Sequence, residues 1–131
     1  MADNDPLAEL LLDADEVDRA QLAQALRGIL GIDNASGRVV LKPAFNDLDA
    51  SRKTLAYLMG AKVAALLNKS DTEAVTPTQL SKSTGMPKGT VNPKLTRLHE
   101  ERLVSKTKSG AYYLEPHQVL RAVDAIRSGS E

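Results

Sequence analysis

The chain has no cysteine among its 131 residues, so it forms no disulfide, no thiolate metal site and no cysteine nucleophile. Aromatic residues are almost as scarce, with one phenylalanine, three tyrosines and no tryptophan. The core must therefore be built from aliphatic side chains. Histidine occurs only at 99 and 117, and with no carboxylate at ligand spacing a metal site is not expected. Gly85 and Gly89 stand alone, so there is no glycine-rich phosphate loop. No serine lies in a nucleophile elbow, and neither histidine pairs with a nucleophile. These absences argue against an enzyme and give no reason to expect a cofactor. The longest apolar stretch, Leu55 to Leu67, is too short to span a bilayer and contains Lys62. The acidic start, Met-Ala-Asp-Asn-Asp-Pro, does not read as a secretory signal. A cytoplasmic protein with no membrane partner is the expectation.

Net charge is also lacking, at 17 basic against 17 acidic residues, but the balance is uneven along the chain. Residues 1–50 carry ten acids and four bases, and residues 51–131 carry thirteen bases and seven acids. Between 82 and 108 the bases are Lys82, Lys88, Lys94, Arg97, Arg102, Lys106 and Lys108, against only Glu100 and Glu101. A basic half joined to an acidic half points to a polyanionic partner for the basic part.

Residues 1–6 read as a tail. Apolar residues then recur at helical spacing from Leu7 to Leu30, with Asp15 as a plausible cap and Gly31 placed as a stop. One helix, or two abutting ones, is expected there. Arg38-Val39-Val40-Leu41-Lys42, ended by Pro43, reads as a short strand. A helix capped by Asp49 or Ser51 should follow over 51–67, and it is apolar around most of its circumference. Both its faces need cover, from the 7–30 helices, from a closing helix at 116–127 (Val119, Leu120, Val123, Ile126), or from a second subunit. The chain then divides into an acidic helical extension with a short strand, 1–48, and a second domain, 49–131.

From Val75 onward the signals are local. Thr76 can cap a helix, Pro77 suits its first position, and Gln79 can close a capping box. Gly85 suits a left-handed stop. After Met86-Pro87-Lys88 comes a second helix, about 89–102, with Val91, Leu95 and Leu98 on one face. Pro93 is cheapest in a first turn, which favours Thr90 as the cap. Leu103 to Thr107 and Ala111 to Leu114 alternate as two strands around Lys108-Ser109-Gly110. Tyr112 and Tyr113 fall on opposite faces, one of them in the core.

A short helix, a glycine turn, a longer amphipathic helix and a basic hairpin resemble the winged helix-turn-helix domains of prokaryotic transcription regulators. The resemblance spans about residues 52–115, with its motifs in 76–114: Thr76-Pro77, Leu80, Thr84-Gly85, Pro87, Gly89-Thr90-Val91, Leu95, Leu98 and Leu103-Val104. It implies a mainly α fold with a small β wing. It further implies sequence-specific binding of double-stranded DNA by a homodimer in transcriptional control. The second helix would lie in the major groove, and the wing, 103–114, on the backbone or minor groove.

Rotation at 100° per residue turns Thr90, Pro93 and Arg97 away from the core face, with Gly89 and Thr96 beside them and Lys94 on the flank. Lys88 and Asn92 complete the set expected at bases or phosphates. Lys106, Lys108 and Ser109 at the wing tip, and Thr78 and Lys82 on the first helix, would hold backbone. Leu22, Leu26 and Ile29 are the residues expected at a dimer interface, with intrachain core as their alternative. A competing reading is a winged-helix protein adaptor, in which the acidic N-terminal half takes a protein partner and the basic face is incidental.

Overall fold

The computed structural model describes residues 6–10 and 18–127, without the side chains at 8 and 9. Pro6–Leu10 forms a 3-10 turn. The expected cap Asp15 lies outside the described residues, and Asp18 caps α1 (Arg19–Leu26) instead, accepting from the Gln21 amide at 3.1 Å. The helix stops four residues before the expected end, and Gly28, at φ 82°, turns the chain. Gly31 is not a stop. It lies inside β1 (Leu30–Ile32), which pairs antiparallel with β2 (Val39–Leu41), with Leu30 opposite Leu41. In the connecting turn the Asp33 carboxylate accepts from the Ser36 amide at 2.7 Å and its hydroxyl at 2.6 Å. Those bonds, the hydroxyl's first, hold the Asp33 pKa below its ordinary value.

The hairpin rests on α2 (Ala50–Leu66), which Asp49 caps through the Arg52 amide at 2.9 Å. Gly60 permits the approach: a Cβ there would meet Leu30 Cδ2 at 3.1 Å and Val39 Cγ1 at 3.2 Å. Phe45, the only phenylalanine, is buried in the 3-10 turn Pro43–Asp47 that leads into α2. Around α2 pack α1, the β1–β2 hairpin, α3 (Pro77–Thr84), α4 (Lys88–Glu100) and α5 (Pro116–Arg127). Its own chain thus covers most of its apolar circumference, with Val63 and Leu66 half-buried and Leu67 about half exposed at its end. Leu55, Ala56, Leu58, Met59 and Ala64 are all buried, and no second subunit is required to cover them. Lys62 is buried too, with its Nζ in ionic contact with Glu73 Oε1 at 2.8 Å.

Leu22, Leu26 and Ile29 belong to this same core, at 2%, 4% and 9% exposure, together with Val119, Val123 and Ile126 of α5. Within the single chain they pack as core, the alternative that their spacing left open. Leu120, expected on the packing face of α5, is about half exposed. The fold is mainly helical, with two small antiparallel pairs: β1–β2, and β3 (Ser105–Lys106) with β4 (Tyr112–Tyr113). No helix among the described residues is long and apolar enough to cross a membrane.

Candidate nucleic-acid interface

Three local signals converge at the start of α3. The Gln79 amide donates to Thr76 Oγ1 at 3.1 Å, and the Thr76 amide donates to Gln79 Oε1 at 2.9 Å. Pro77 takes the first position, where its missing N–H costs nothing. Gly85 ends the helix at φ 80°, its amide on the Ser81 carbonyl. Two side chains then fix the turn into α4. Ser81 Oγ donates to the Met86 carbonyl at 2.6 Å, and Thr84 Oγ1 donates to the Leu80 carbonyl at 2.7 Å. Met86 itself is buried.

Helix α4 begins at Lys88, with Pro87 at the cap position, its carbonyl accepting from the Thr90 and Val91 amides at 2.9 and 3.0 Å. Thr90 is therefore the third helical residue and not the cap, which corrects the expected register. Pro93 becomes the sixth and has no N–H for the Gly89 carbonyl four residues back. Ser81, Thr84 and buried Met86 anchor the turn, and the helix starts at Lys88 in spite of that lost bond. Val91, Leu95 and Leu98 are buried as their spacing implies.

The opposite face of α4 is open. Lys88, Gly89, Asn92, Pro93, Thr96 and Arg97 are exposed, while Thr90 and Lys94 are half-buried on one flank. No acid occurs on the helix before Glu100. A Cβ at Gly89 would meet nothing within 4 Å, so another molecule can approach the backbone there. Arg97 is engaged: its Nε lies 3.3 Å from Glu101 Oε2. Both groups are solvated, so the pair is weak and can open.

The other flank of α4 faces the β3–β4 hairpin. The His99 ring stands edge-on to Tyr112 at 6.3 Å, and Lys106 Nζ lies 5.5 Å over the same ring. Tyr112 is the buried tyrosine and Tyr113 the half-buried one. Lys106, Lys108 and Ser109 are exposed on the hairpin, as are Thr78 and Lys82 on α3. Spacing alone missed a third strand position. Val75, just before α3, exchanges both backbone bonds with Tyr112 at 2.8 Å and ties the hairpin to the start of the helix pair.

A second unforeseen group is buried Gln118. Its Oε1 accepts from the Glu115 amide at 2.8 Å and from Ser105 Oγ at 3.1 Å. Its Nε2 donates to the Arg102 carbonyl at 3.2 Å. One side chain thus binds the end of α4, the hairpin and the start of α5. Among the described residues no three metal-ligating side chains come together. Comparison with protein-family models, with curated proteins and with solved structures finds no match for this chain.

Proposed function

We propose that this protein is a winged helix-turn-helix reader of double-stranded DNA, acting in transcriptional control as a homodimer. The element order supports that reading: α2, a strand position at Val75, α3, a three-residue turn, α4, the β3–β4 hairpin and α5. The observation that carries it is the exposed face of α4. Six residues there, Lys88 to Arg97, offer cations, an amide, a hydroxyl and a bare backbone, with no acid among them. Beside this face stands a hairpin whose exposed tip is basic. Arg97 and Asn92 are suited to base edges, and Lys88, Lys106, Lys108, Thr78 and Lys82 to phosphates.

Anisotropy titration against mixed-sequence duplex tests the reading. Affinity is expected to fall with salt at a log–log slope of about −0.9 for each phosphate neutralised. Lys108→Ala should weaken binding equally for all sequences and flatten that slope by about one. Absence of duplex binding at low salt would overturn the proposal.

A further inference from the structure

Behind the hairpin, away from the outer face of α4, lies a cleft of about 420 Å³ lined by His99, Arg102, Val104, Ser105, His117, Gln118 and Arg121. Both histidines of the chain and two of its arginines meet there. None of these four side chains makes an ion pair or a side-chain hydrogen bond among the described residues. No acid lines the cleft. Outside the lining, Glu115 Oε2 accepts the Ser105 hydroxyl at 3.2 Å, Glu100 and Glu101 adjoin the lining residues in sequence, Glu101 paired with Arg97, and Asp124 lies one turn beyond Arg121. Lys106, held over Tyr112 next to His99, adds a further cation at the rim. The two histidines and two arginines are all exposed, and an anion entering the cleft would meet two guanidinium groups with no carboxylate on its lining.

The backbone at Arg102 points the same way. Arg102 is the residue after the cap of α4, and its φ is 64°. Its amide donates to the His99 carbonyl at 3.0 Å, and the Leu103 amide to the Leu98 carbonyl at 2.9 Å. This closure normally carries glycine, because a Cβ strains the left-handed conformation. An arginine kept in a strained position, with its side chain on the cleft, suggests that the side chain has a use there. Beneath it, buried Gln118 makes three hydrogen bonds that tie the end of α4, the hairpin and the start of α5 together.

We propose that this cleft is a phosphate site. Arg102 and Arg121 supply permanent charge, and the His99 and His117 rings offer N–H donors beside them. The ligand is a phosphate group, either a backbone phosphodiester of a bound duplex or the phosphate of a small molecule. Neither source requires α4 to read bases.

Ring resonances of His99 and His117 in the full chain provide the readout, with inorganic phosphate as the probe. Both signals should move together and saturate with a Kd on the order of 1 mM. Arg121→Gln and Arg102→Gly should each weaken phosphate about tenfold. The glycine variant should also melt about 3 °C higher, because it relieves the backbone, so its loss of binding cannot come from misfolding. A short duplex then separates the sources. If it moves the same two signals in wild type and not in Arg121→Gln, the phosphate is the backbone's. If free phosphate alone moves them, the ligand is a small molecule. The proposal is overturned if neither probe moves both rings, or if the two variants bind phosphate as wild type does. Failure of DNA reading would appear instead as no anisotropy change on duplex, with the phosphate response intact.

Discussion

Arg97 shows how one surface pair sets the terms for reading a base. Its guanidinium is held by Glu101 at 3.3 Å, both groups exposed, in an arrangement of the kind worth about 0.2–1 kcal/mol. Reaching a guanine edge requires that contact to open, so Glu101 competes with the base. Glu101→Gln is therefore expected to strengthen duplex binding by up to about fivefold, with part of the gain coming from one fewer negative charge near phosphate. Arg97→Ala should do the opposite, costing roughly 1–3 kcal/mol and relaxing preference at a single base pair. Anisotropy on a panel of single-position duplex variants checks both. A uniform loss across the panel would assign Arg97 to phosphate.

At the level of elements, Gln118 is the joint on which three segments depend. Truncation to alanine removes bonds to Glu115, Ser105 and Arg102 together and leaves the part-buried Glu115 amide and Arg102 carbonyl without their partner. Each such group costs about 1–3 kcal/mol, so Gln118→Ala should destabilise the chain by at least about 2 kcal/mol in urea unfolding. An unchanged midpoint would mean that water replaces the amide. No sequence pattern announced this residue, because its partners become neighbours only after α4, the hairpin and α5 have packed. The start of α3 was legible for the opposite reason: Thr76, Pro77 and Gln79 decide it among themselves. Strand β1 was hidden because Leu30-Gly31-Ile32 shows no alternation, and its support is Gly60, far along the chain. The start of α4 was misplaced because the Pro93 penalty was weighed without Ser81, Thr84 and Met86, which hold the turn. The exposed face of α4 and the hairpin tip were read from spacing, since burial there follows the helical and strand periods.

For the whole molecule, the question is how two copies could share one DNA site. Most of the apolar circumference of α2 is covered within one chain by α1, the β1–β2 hairpin, α3, α4 and α5, and what stays open is its C-terminal end at Leu67. Leu22, Leu26 and Ile29 likewise lie inside. Leu26→Ala should therefore cost about 2–5 kcal/mol of folding stability, as a core truncation does, with no selective effect on subunit mass. Among the described large apolar residues outside the core, Leu7 and Leu10 of the first 3-10 turn are the most exposed, and Val40, Leu67 and Leu120, on different elements, are each about half exposed. What supports a dimer is the reader itself. One α4 covers only a few base pairs, and a two-fold pair places two such helices about 34 Å apart on one side of a palindromic duplex. The expected outcome is two chains per duplex in sedimentation equilibrium when the half-sites are about one helical turn apart. Inserting half a turn between them should separate binding into two weaker, independent events. One chain per duplex at saturation, whatever the spacing, would make the protein a monomeric reader.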